Sequence, residues 1–566
     1  MTVSQEEFYR RCQDFVQRMM EYEPVLATGM GEHRHDHRLA DYSRSALEGW
    51  KRELAEALRV LQSFDTSSFD LQARLDQVVM VRLVKSLQRS LERIRPHFRD
   101  PGLYLQECTD GIFLLLVRDF APLEERLENL LGRLRAVPEV LAQGKANIEP
   151  ESVPLVWAQV ALESAQRGLS YFTSLIPSAA QGVPGLAPEV ERASLRAAEA
   201  VEDYIAFLRE EVIPRAKGDF AVGQELFEEM LRQDHMLDVS AEELLETGRR
   251  LFEETKAEME RVAGEIDPHK SAREILEEAK ADHPSAGELL DIYRREMERA
   301  RRFVVERDIA AIPEGESLKV EPTPPFMRPL IPYAAYISPG PFERVQQGVF
   351  LVTPVDSDAP PQEREEKLRG HSYAKLPVTA LHEAYPGHHL QLTYANTLPT
   401  LPPKLGSMLS SLFVEGWAFY CEELMEKLGY IAQPIQRLGR LNDQLWRAGR
   451  IILDVGLHTR GMGVEEAVDF LVEEVGLERS NALAEVRWYT QAPTYPMSYL
   501  MGKLEILKLV EKYKRRHPQA SLREIHEAIL SCGSIPPKIL TRSWKLRAKR
   551  GQAPYGAGFG PQDAVP

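Results

Sequence analysis

The chain predicts a mostly α, large helical protein in two lobes around one cleft, with a small β-sheet near a metal site. Three observations carry this. Apolar residues recur at three- and four-residue spacing through most of the sequence. Proline clusters interrupt that pattern in one central stretch, and the segments beside it read as strands. Metal-ligand side chains concentrate at one place, residues 382–391, read His-Glu-Ala-Tyr-Pro-Gly-His-His-Leu-Gln.

In chain order, residues 1–215 form an N-terminal helical lobe. Leu47 to Leu61, Leu71 to Ile94 and Pro122 to Ala136 are amphipathic, and Pro and Gly clusters at 95–102 and 174–188 mark turns. The group Glu32-His33-Arg34-His35-Asp36-His37 carries ligand-type side chains, but alternate positions in a loop do not set a chelating geometry. A helical connecting region, 216–311, includes a start capped by Ser240 before Ala241-Glu242-Glu243. A catalytic region, 312–548, follows, and a Gly- and Pro-rich flexible tail, 549–566, ends the chain.

Within the catalytic region six prolines lie between Pro313 and Pro332, followed by Tyr333 to Ile337 and Gly348 to Val352, two predicted strands. An edge strand beside a metal site can pair with an extended peptide, which makes Tyr336 a candidate substrate contact. A plain structural hairpin fits the same residues.

The motif helix starts near Pro377, a residue suited to a first helical turn, with Val378, Leu381 and Tyr385 as its apolar stripe. The zinc-peptidase pattern H-E-x-x-H sets two histidines four apart on one helix face, with a glutamate addressing the water between them. Here the residue four on from His382 is Pro386, and His388 comes six on, about 120° away on an ideal helix. Proline removes a ladder hydrogen bond and glycine tolerates the resulting backbone, so Pro386-Gly387 acts as a two-residue bulge. Removing that pair restores the pattern. His382 and His388 are then the metal ligands and Glu383 the general base. His389, on the face of His382 but about 10 Å along the axis, is the less favoured second ligand.

A catalytic zinc keeps three protein ligands and an open position. The candidate third ligand is Glu415, on a helix read from Leu405 to Leu428 and stopped by Gly429. Its neighbours Leu412, Phe413, Val414, Trp417 and Phe419 are apolar, and a carboxylate there needs a metal or a cation. Glu422, a heptad on, is an alternative ligand or a hydrogen-bond acceptor for one. Farther on, Arg450, Asp454 and His458 are spaced by four on one helix face. Asp454 could orient a metal-bound imidazole, and His458 is a candidate catalytic group.

Three stretches, H-E-A-Y-P-G-H-H-L-Q, E-G-W-A-F-Y-C-E-E-L and R-W-Y-T-Q-A-P-T-Y-P-M-S-Y-L-M-G, resemble a bacterial domain-of-unknown-function family of gluzincin-like proteins whose hallmark is H-E-x-x-P-G-H-H. The resemblance runs from about residue 20 to 548. More distantly the chain is similar to the helical peptidases around thimet oligopeptidase, carboxypeptidase Taq and angiotensin-converting enzyme. The resemblance implies a helical protein with a deep cleft and one zinc ion in a peptidase-like site. It also favours His388 over His389. Tyr499 and Arg487 match the family's pattern, which implies roles in stabilising an oxyanion and binding a substrate carboxylate.

The expected reaction is zinc-dependent hydrolysis of short or unfolded peptides by a monomer or homodimer. A metal-dependent hydrolase or lyase acting on a non-peptide amide remains open. So does a noncatalytic zinc-stabilised binding protein. Seventy basic against 86 acidic residues, a net charge of −16, weigh against nonspecific nucleic-acid binding. No apolar run reaches the roughly 18 residues of a membrane span. The first residues lack a basic segment followed by an apolar one, which predicts a cytoplasmic protein. Cys12, Cys108, Cys421 and Cys532 lack paired spacing and are expected as buried thiols.

Overall fold

Helices dominate the computed structural model, which describes residues 3–324, 328, 331, 333–356 and 358–541. The expected tail, 549–566, lies outside the described residues. The chain forms two compact units. The first takes in the sequence up to Val222 together with Gly340–Arg344, and the second holds Gly223–Thr323 and the chain from Val345 on. Residues 223–311 thus belong to the unit that carries the metal motif rather than forming a region of their own.

In the first unit the helices Gly102–Val117, Leu123–Asn147, Leu155–Ser170 and Ala187–Phe207 share one apolar core. Leu127, Leu130, Leu134, Val137 and Leu141 repeat at helical spacing and are buried. The His33 loop is a structural knot in this unit. Asp36 is buried and accepts hydrogen bonds from Thr28 Oγ1 at 2.6 Å and from His33 Nδ1 at 2.8 Å. Burial would lower the His33 pKa, yet Asp36 and Glu343 together hold it at about 9.

In the second unit the long helices Ala241–Ile266 and Pro434–Thr459 pack along each other. Ser240 and Glu243 close a reciprocal capping box at the start of the former, as its sequence predicts. The helices Leu412–Lys427 and Ser498–Arg516 cross where neither has a side chain: a Cβ on Gly416 would lie 2.4 Å from the Gly502 carbonyl carbon. The sheet has three strands in the order β1 (Ser317–Pro322), β3 (Gln347–Val352), β2 (Ala334–Ile337). β2 and β3 are the two predicted strands, paired antiparallel with Tyr336 opposite Phe350. β1, parallel to β3, was not expected, because its residues are half-buried or exposed and show no clean alternation. All four cysteines are buried and none is in a disulfide among the described residues.

Candidate metal centre

The motif folds as two helices separated by a tight break. The first, Leu376–Glu383, has Pro377 in its first turn, and the second is His388–Asn396. Between them the Gly387 N–H reaches the Leu381 carbonyl at 3.0 Å and the Leu390 N–H reaches the Ala384 carbonyl at 3.2 Å. Each bond spans six residues where an α-helix spans four, so two residues have been looped out without ending the overall run. Gly387 is required at this point: a Cβ there would meet the His382 carbonyl oxygen at 1.9 Å. Trp417 Nε1–H donates to the Pro386 carbonyl at 2.7 Å and fastens the loop to the Leu412–Lys427 helix.

This break turns His388 toward His382. Their rings stand nearly perpendicular with centroids 4.8 Å apart. Glu415 completes the set: one ligand atom from each of His382, His388 and Glu415 lies within 4.8 Å of the other two. Among the described residues, no other His, Cys, Asp or Glu group converges in this way. The expected helix from Leu405 is broken at Ser410, so that Glu415 sits in the first turn of Leu412–Lys427. Glu422 is not in the set. Its carboxylate accepts from His382 Nδ1–H at 2.7 Å, which leaves the Nε2 lone pair of His382 for a metal.

The electrostatics suit a cation. Burial raises the Glu415 pKa, but His388, His382 and the Tyr495 hydroxyl outweigh it and hold the carboxyl at about 2. Two imidazoles and one carboxylate are a donor set that zinc takes in catalytic sites. His389 cannot serve as the second ligand, because both its nitrogens are used: Nε2–H donates to Glu316 at 2.7 Å and Nδ1 accepts from Tyr336 at 2.8 Å. Through that second bond the Tyr336 hydroxyl, on the edge strand expected to meet a substrate, also anchors the motif. Glu383 is half-buried and, among the described residues, makes no hydrogen bond or ion pair.

The polar series on Pro434–Thr459 does not act as one chain. Arg450 donates instead to the Tyr489 hydroxyl at 2.9 Å and to Glu485 at 2.7 Å. His458, expected as a catalytic group, is fully buried, with Nε2 on the Tyr489 carbonyl at 3.0 Å and Phe227 stacked beside it. It is a packing residue, since its place on the helix faces the interior. Among the described residues Asp454 meets no imidazole. It accepts from the N–H groups of Thr494 at 3.1 Å and Met497 at 3.3 Å, holding a turn in which Thr494 has a φ of 67°.

That turn presents the tyrosines. Tyr495, rather than Tyr499, donates to Glu415, at 2.7 Å. Tyr499 lies next to it, ring centroids 6.1 Å apart, with the guanidinium groups of Arg450 and Arg447 at 4.6 Å and 5.7 Å from its ring centre. Burial and Glu415 raise the Tyr499 pKa, the two arginines oppose them, and the result is about 12, so the hydroxyl keeps its proton near neutrality. Arg487 is half-buried on the helix Arg479–Gln491. Three members of this arrangement escape sequence reading: Tyr495 as partner of Glu415, Glu316 as partner of His389, and His235, which joins Ser410 to Thr494. They are far from the motif in sequence; Tyr495 falls in the quoted R-W-Y stretch, but nothing there marks it as the partner of Glu415.

Asp454 makes a testable pH signature. Burial raises its pKa to about 8 and the two N–H donors only partly offset this. The folded state therefore holds a proton that the unfolded chain releases from about pH 4 upward, and the resulting stability is lost as pH rises through the folded value. Relative to Asp454→Asn, the parent should lose up to about 1.4 kcal/mol per pH unit between roughly pH 4 and 8. Urea midpoints of both proteins at pH 5 and pH 8 check this. Parallel pH dependences would mean Asp454 titrates as an ordinary carboxylate.

Residues 24–543 match the model of a family described as bacterial protein of unknown function, DUF885. A comparison with curated proteins finds no match. Two solved structures share the fold. One, described as a candidate lipoprotein of unknown function from Shewanella oneidensis, is 22% identical with a TM-score of 0.77 over 95% of this chain and 99% of its own. The other, described as a candidate lipoprotein from Colwellia psychrerythraea, is 19% identical with a TM-score of 0.81 over 97% of this chain and 99% of its own. These descriptions correct the expected cytoplasmic placement, since they point away from the cytoplasm. The reading of the first residues could not decide it, because a leader or lipid-bearing segment need not belong to the stretch of sequence read. Among the described residues, no helix is long and apolar enough to cross a membrane.

Proposed function

We propose that this chain, which belongs to the bacterial DUF885 family, hydrolyses peptide bonds in short or unfolded peptides at a metal centre held by His382, His388 and Glu415. The observation that carries the reading is the convergence of those three side chains next to Glu383, a half-buried carboxylate in no hydrogen bond or ion pair among the described residues. A purely structural metal site has no use for such a group, whereas hydrolysis needs a base beside the water. A zinc ion there supplies Lewis acidity, making water a nucleophile near neutral pH and polarising a carbonyl.

The chain's own residues supply the rest. Glu383 takes the proton of the attacking water and returns it to the leaving amine. Glu422 holds His382 in the tautomer whose Nε2 is unprotonated. Tyr499, protonated at working pH and steadied between Arg447 and Arg450, donates to the carbonyl oxygen as negative charge grows on it.

The deciding experiment loads the purified protein with zinc and digests a peptide library alongside a panel of small amides, with and without a chelator. Peptide cleavage that disappears on chelation is the expected result. Turnover of small amides alone would move the assignment to non-peptide amides, and one bound zinc with no turnover of either would favour a binding protein. Tyr499→Phe should lower kcat roughly a hundredfold with little change in KM, because its hydrogen bond strengthens in the transition state. A change confined to KM would make Tyr499 a substrate-binding residue.

A further inference from the structure

The hydrogen bond between Tyr495 and Glu415 is held from both sides. On the donor side, Tyr495 lies in the turn clamped by Asp454, its N–H on the Ala492 carbonyl at 3.1 Å and its carbonyl accepting from Ser498 at 2.9 Å. Trp488 packs edge-on against its ring at 5.2 Å. On the acceptor side, Glu415 is in the first turn of its helix, and just before that start Ser410 Oγ accepts from the Leu412 N–H at 3.2 Å. One buried imidazole joins the two: His235 Nδ1 meets Ser410 Oγ at 2.9 Å and its Nε2 meets Thr494 Oγ1 at 3.0 Å. The start of the carboxylate's helix is thereby tied to the residue that precedes the tyrosine.

The two oxygens of Glu415 are then in different surroundings. Oε1 accepts from Tyr495 at 2.7 Å, whereas Oε2 faces His388 Nε2 at 3.6 Å. A carboxylate can bind a metal through one oxygen or both, and a donor fixed on one oxygen competes for its lone pairs. We propose that Tyr495 is a positioning residue that restricts Glu415 to one metal-binding oxygen, Oε2, and so keeps a coordination position open for water and substrate. This rests on the metal-hydrolase reading above. With both oxygens bound, the protein would supply four donors instead of three, and catalytic zinc sites depend on the position left over.

The test is Tyr495→Phe, which keeps the ring and removes only the donor, in the full chain loaded with zinc and, separately, with cobalt. X-ray absorption at the zinc edge counts donors, and the visible spectrum of the cobalt protein reports coordination number. The parent should show one carboxylate oxygen. Tyr495→Phe should gain one oxygen donor, give weaker cobalt bands and lose roughly 10–100-fold in kcat/KM. His235→Gln, which loosens the frame while leaving the donor in place, should shift the cobalt spectrum in the same direction by a smaller amount, and it carries the test if Tyr495→Phe does not fold. Identical coordination in parent and variants overturns the inference while leaving the metal centre standing. A parent that takes up no zinc overturns the metal reading, and the inference with it.

Discussion

Glu383→Gln should retain the metal content of the parent while kcat falls by roughly 10²–10⁴-fold. The amide is nearly the same size and shape as the carboxylate but cannot accept a proton, so only the base is removed. Since Glu383 has no hydrogen bond or ion pair among the described residues, the change breaks neither. His382→Ala, His388→Ala and Glu415→Ala remove members of the converging set and should lower metal content instead. Metal analysis and turnover on the same preparations separate the two behaviours. Equal metal loss in Glu383→Gln would make that residue a ligand and undo the division of roles.

Gly387→Ala should be damaging out of proportion to its one added methyl group. The new Cβ would stand 1.9 Å from the His382 carbonyl oxygen and 2.5 Å from that of Leu381, and both neighbours are backbone. No rotamer relieves such a contact, so the break between the two motif helices must open. An overpacked site of this kind costs on the order of 3 kcal/mol. The same movement turns His388 away from His382, so zinc affinity should fall together with the urea midpoint. A variant with parental stability and full metal content would show that the break does not set the spacing of the two histidines.

How much of this was legible in the sequence varies with distance along the chain. The fold class and the bulge at Pro386-Gly387 follow from local rules of periodicity and backbone freedom, and the six-residue hydrogen bonds have the span expected when two residues are looped out. Glu415 was marked by its apolar neighbours, because a lone carboxylate in such surroundings needs a partner. Local spacing misled at Asp454 and His458. Four-residue intervals correctly place side chains on one helix face, but they do not say that the face is the one packed against Phe227 and the 494–497 turn. Tyr495 and Tyr499 could not be ranked without the turn, since both are four residues apart on a segment whose direction depends on Asp454, 40 residues earlier.

The return of Gly340–Arg344 to the first unit bears on how this protein can be divided. In that segment the Phe342 N–H donates to the Met30 carbonyl at 2.9 Å and Glu343 pairs with Arg118 at 3.2 Å. Both partners come from sequence far upstream, before the chain has entered the second unit. A fragment ending at Val222 would therefore carry an arginine stripped of its carboxylate and a carbonyl stripped of its donor. The boundary visible in space does not correspond to a single cut in the gene. Ribosomal synthesis cannot finish the first unit until more than a hundred residues of the second have emerged, so the nascent chain must hold an incomplete helical bundle through that interval.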